Sequence, residues 1–126
     1  RLLEFLHWEK IANPIFIGGD IHSFWVSDLK RDFDDPESEI VASELVTSSI
    51  SSLGVPYDQF LKYLPVNPHI HFFESRQRGY VKCVCDQQQW VSELKVVDTV
   101  NRPQSQLSTL VAYSLKNGDK GVKLVK

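Results

Sequence analysis

Residues 13 to 25 read Asn13-Pro14-Ile15-Phe16-Ile17-Gly18-Gly19-Asp20-Ile21-His22-Ser23-Phe24-Trp25, an apolar run that breaks on two glycines and then presents a carboxylate and an imidazole. Proline excludes helical geometry from the residue before it, so any helix upstream ends by Asn13. Ile15, Phe16 and Ile17, bounded by Pro14 and Gly18-Gly19, predict a short buried strand that ends in a glycine loop. Asp20 and His22 stand just past that strand. If the backbone stays extended there, the two side chains leave from the same side, and the glycines allow close approach of backbone or ligand. One carboxylate and one imidazole at a strand end make a candidate metal corner, the rival reading being a hydrogen-bonded Asp/His pair in a turn.

Working outward, Leu2, Leu3, Phe5, Leu6, Trp8 and Ile11 recur at near-helical spacing and predict one helix over residues 1 to 12. On the other side, Asp28 to Glu39 is dominated by acidic residues and contains Pro36, the composition of a solvated loop; it lacks the ligand spacing and closing glutamate of an EF-hand. Ile40 to Ile50 predicts a strand running into a Ser48 to Gly54 turn, and Phe60, Leu61 and Leu64 share the face of a short helix over Tyr57 to Leu64, closed by Pro65. From Asn67 the period becomes two, with strands near Ile70 to Glu74, Tyr80 to Cys85, Trp90 to Val97 and Leu110 to Leu115. Asn117-Gly118 ahead of Val122 to Val125 predicts a hairpin with a type I′ turn.

At 126 residues, 42% hydrophobic and 24% charged, the chain has the composition of a globular protein and the length of at most one domain. A formal net charge of -2 without a basic stripe argues against nucleic-acid binding, and no apolar stretch is long enough to cross a bilayer as a helix. The two cysteines, Cys83 and Cys85, sit two apart on a strand, point to one face and read as structural; they leave the redox compartment open.

The segment Gly19-Asp20-Ile21-His22-Ser23-Phe24-Trp25 resembles the Gly-Asp-Val-His-x-x-Trp signature of the PhoD-like alkaline phosphatases/phosphodiesterases. The similarity continues in family order through Asp28-Leu29-Lys30, Asp32-Phe33-Asp34-Asp35-Pro36, Val41-Ala42-Ser43-Glu44-Leu45-Val46, Thr47-Ser48-Ser49-Ile50-Ser51-Ser52, Asn67-Pro68-His69 and Arg78-Gly79-Tyr80. It covers about residues 1 to 100; the departures are Gly18 as a second glycine and Ile21 in place of valine, neither of which alters ligand chemistry.

That resemblance implies an α/β fold with a mixed, largely antiparallel sheet, one side of a metallophosphoesterase αββα sandwich. It implies Asp20 and His22 as metal ligands, in a cluster of iron and calcium, and hydrolysis of phosphate mono- or diesters. His69 and Arg78 are weaker candidates for substrate or metal contact, Arg78 because a guanidinium can fork onto a phosphate oxygen. The remaining ligands and the second sheet are expected upstream of Arg1, in the same catalytic domain, so the chain alone should self-associate and lack turnover. A reading from another class is a free-standing β-rich binding module in which Asp20 and His22 form only a turn.

Overall fold

In the computed structural model, which describes residues 1–125, Ile15 to Gly18 form a strand, β1 (Ile15–Gly18), after a first helix, α1 (Leu2–Trp8). Then come β2 (Phe24–Lys30), β3 (Ile40–Val46), α2 (Tyr57–Leu61), a 3-10 turn at Leu64–Val66, β4 (Ile70–Glu74), β5 (Arg78–Cys85), β6 (Gln89–Val97), β7 (Leu107–Lys116) and β8 (Lys123–Leu124). The first sheet has the order β1-β3-β2-β4. In it β1 lies parallel to β3, with Ile15 opposite Ser43 and Gly18 opposite Val46, while β2 runs antiparallel to both β3 and β4. The second sheet is an antiparallel meander, β5-β6-β7-β8.

The mixed α/β character matches expectation, and the period-two half divides: its first strand, β4, joins the first sheet, and the rest build a second sheet within this chain. β4 pairs with β2, and after Ser75 to Gln77 the chain starts a separate ladder at β5. Alternation favours the result, because β2, β3, β6 and β7 each have an apolar face to bury. Phe24, Val26 and Leu45 from the first sheet meet Leu94, Val96, Tyr113 and Leu115 from the second in a single buried cluster. Phe24, Val26, Leu45 and Leu94 are fully buried, each worth roughly 1.5–3 kcal/mol of apolar transfer.

Strand β2 was hidden in the sequence, where Asp28 merges with the acidic run that follows. The loop begins only after Lys30, and Asp28 is 5% exposed in the strand. A bare buried carboxylate would cost several kcal/mol. Here Oδ1 accepts from Ser43 Oγ (2.9 Å) and Val122 N (3.0 Å), and Oδ2 meets His71 Nε2 at 2.6 Å. Gly121, at φ +73°, lets the β7–β8 loop close over this group; a Cβ there would lie 2.6 Å from Asp28 Oδ2. The carboxylate thus ties the first sheet to the last hairpin.

Two ends differ from expectation for local reasons. Helix α1 stops at Trp8 rather than Ala12, because Lys10 takes φ 50° and the amides of Lys10 and Ile11 bond to His7 O and Leu6 O (both 3.2 Å), the paired bonds of a Schellman cap. The hairpin at Asn117-Gly118 forms, with Asp119 N on Lys116 O at 3.0 Å, but only Gly118 of its two central residues takes a positive φ (85°), so the turn is not type I′. Asn13 decides this. Its side-chain oxygen accepts from Gly118 N and its amide donates to Asp119 O, both at 2.8 Å, which props the turn from outside. No helix among the described residues is long and apolar enough to cross a membrane.

Candidate metal corner

The chain leaves β1 at Gly18 and must enter β2 at Phe24, which is fully buried, so residues 19 to 23 make a tight reversal. The extended path expected through Asp20 and His22 is absent. Ile21 N bonds back to Gly19 O at 2.9 Å around Asp20 at φ 74°, a γ-turn of the strained, positive-φ kind. His22 follows at φ 59°, in the left-handed region. Asp and His are among the residues that tolerate such angles best, yet each L-residue held there costs on the order of 1–2 kcal/mol. The turn therefore stands only because its surroundings impose it.

Those surroundings are visible. The buried Arg78, 7% exposed at the start of β5, donates from Nη1 to His22 O (3.2 Å), Ser49 Oγ (3.0 Å) and Ser52 O (2.5 Å), and from Nη2 to Ser75 O. Ser48 Oγ adds a bond to His22 O at 3.3 Å and one to Gln77 O at 3.0 Å. The glycine that close packing requires is Gly54: a Cβ there would lie 2.5 Å from both His22 O and Ser75 O, whereas at Gly18 and Gly19 it would meet only ordinary contacts at 3.7 Å. Burial pulls the Arg78 pKa below the usual arginine value, with Glu74 opposing.

The His22 ring is fixed as well. Nδ1 lies 3.0 Å from Leu53 O, and a carbonyl only accepts, so Nδ1 is the donor in this bond. Metal-bound histidines are commonly oriented by such a bond on the other ring nitrogen. Asp20 is exposed at the turn, and beneath it Trp25 packs against Phe73 (4.3 Å between centroids) and bonds Ser23 Oγ through Nε1 at 2.8 Å. One carboxylate and one imidazole suit an iron- or calcium-containing cluster in donor chemistry but do not complete it. No group of three or more His, Cys, Asp or Glu among the described residues is placed to hold a metal.

The other two candidates lie apart in role. Arg78 reaches the corner, but its donors are engaged by loop oxygens. His69 precedes β4 at the far end of the sheet. The β2–β4 register sets Phe24 against Glu74 and Ser27 against Ile70, so His69 lies beside Asp28, about 13 Å of strand from the His22 end. Its ring packs edge-on against Phe33 at 4.8 Å, and burial, then the charges of Lys30 and His71, lower its pKa. The neighbouring ring of His71 is bonded to Asp28. What the sequence could not announce were Leu53 and Ser48 as partners of His22, since a leucine supplies only its carbonyl and a serine-rich turn looks generic.

The chain is thus a mixed α/β protein whose two four-stranded sheets share one core, with an Asp-x-His turn at positive φ joining β1 to β2. The model of the PhoD-like phosphatase family matches residues 1–94, and the chain belongs to that family. It is 33% identical over 131 residues to alkaline phosphatase D of Bacillus subtilis (strain 168), an alignment that takes in 99% of this chain and 22% of the relative. A solved structure described as that of PhoD superposes on the whole chain with a TM-score of 0.82 at 29% identity, using 24% of its own length. The chain thus spans less than a quarter of the length of these relatives.

Proposed function

We propose that this chain supplies one metal-binding corner of a phosphoric ester hydrolase, with Asp20 and His22 as ligands and the other ligands contributed by an upstream part of the same catalytic domain, completing an αββα sandwich. The observation that carries the reading is the strained turn: Asp20 and His22, two residues apart, both stand at positive φ, the His22 carbonyl is held by a buried arginine, and Nε2 of His22 has no hydrogen-bond partner among the described residues. Family membership supports phosphoester hydrolysis as the reaction class, and the iron and calcium cluster rests on the sequence resemblance alone. When bound, such ions neutralise charge on the phosphoryl oxygens and lower the pKa of an attacking water. The chain's own part is to present the Asp20 carboxylate and the His22 imidazole in the turn that joins the end of β1 to the start of β2, where Asp20 is exposed and the His22 ring is held by Leu53 O.

Asp20→Ala and His22→Ala in the full-length protein are each expected to lower phosphodiester turnover by more than the roughly 10–100-fold that loss of an outer ligand partner costs, and to lower bound iron in parallel. Turnover and metal analysis on folded variants decide it: unchanged iron content and rate in either one removes that residue from the ligand set.

A further inference from the structure

His22 is gripped at two points that lie on one loop. Its carbonyl accepts from Arg78 Nη1 and Ser48 Oγ, and its ring nitrogen Nδ1 donates to Leu53 O. Arg78 also binds Ser49 Oγ and Ser52 O, the residues that carry the loop to Leu53. The guanidinium therefore fixes the spacing between the His22 backbone and the carbonyl that selects its tautomer. Gly54, next in the chain, leaves no room for a side chain between them.

We propose that Arg78 is a positioning residue for His22, holding the 49–53 loop so that Leu53 O keeps the proton on Nδ1 and the Nε2 lone pair is presented to an incoming cation. A lysine cannot replace it, because one ammonium point charge does not span four acceptors arranged around a planar fork. The proposal rests on His22 being a ligand, but its first observable, the ring tautomer, exists before any metal is added.

The test is nitrogen-15 imidazole NMR on the full-length protein stripped with a chelator, followed by titration with iron alone. Wild type is expected to show His22 with a protonated Nδ1 and a bare Nε2. In Arg78→Lys the Nδ1–H signature should give way to a tautomer mixture, and iron affinity should fall roughly 10–100-fold. Gly54→Ala provides a second route, displacing the same carbonyl with Arg78 intact, and should produce the same mixture. The signals of His71, bonded to Asp28, report in each sample whether the fold survives. A wild-type ring protonated on Nε2 overturns the proposal, as does an unaltered tautomer in a folded Arg78→Lys or Gly54→Ala protein. Failure of the ligand reading looks different: His22→Ala then binds iron like wild type while the tautomer still responds to Arg78.

Discussion

Asp28 and His71 form the pair whose titration the fold controls most directly. The hydrogen bond that His71 donates to the buried Asp28 carboxylate holds its pKa above the ordinary 6.5, against a smaller opposing effect of burial. A histidine whose folded pKa is raised contributes its stability fully below pH 6.5 and loses it as pH rises through the folded value, since the native state there holds a proton the unfolded chain has released. His69 works in the opposite sense, its pKa being lowered, so the wild-type curve mixes the two. We expect the stability difference between wild type and His71→Gln to shrink as pH rises from 6 to 8.5, by no more than about 1 kcal/mol because a third of the His71 side chain meets water. Urea midpoints at three pH values measure this, and a difference that grows with pH contradicts it. At this scale the sequence was a poor guide: Asp28 looked like the first residue of an acidic loop, and only Ser43, His71 and the Val122 amide, up to 94 residues away, make its burial affordable.

Strand β5 depends on one position. Gly79 stands opposite Val96, and a Cβ built on it would come within 1.9 Å of Lys95 O, a backbone atom that cannot swing aside. Gly79→Ala is therefore expected to force β5 from β6 at its first rung and to destabilise the protein by about 3 kcal/mol or more. Because Arg78 sits next to it, amide exchange should show the loss of protection beginning at β5 and reaching the His22 turn. Protection unchanged across β5 would mean the ladder accommodates the methyl. Elements with a clean period, β4 through β7, were legible within one to three residues. Those whose ends are set by hydrogen bonding, such as the Schellman cap of α1 and the Asn13-propped turn at Gly118, were not.

Across the molecule, apolar side chains remain uncovered on α1, on β1 and in the loop after β3: Trp8 is 71% exposed and Leu53 90%, with Phe5, Ile17 and Ile50 also exposed. Such surface favours association. The 126-residue chain on its own is expected to scatter light as a self-associated species and to show no turnover of a chromogenic phosphodiester with iron and calcium present, two donors being too few for either ion. A monodisperse monomer with metal-dependent turnover would place a complete site within these residues. By itself the sequence determined the Asp-x-His spacing of Asp20 and His22, the strand alternation and the family likeness, because each is written in neighbouring residues and local periodicity. Only the tertiary structure decided that the turn is strained, that His22 Nδ1 donates to Leu53 O and that both sheets close on one core. Each of these is set by partners far along the chain: Leu53, Arg78 and the strands beyond β4.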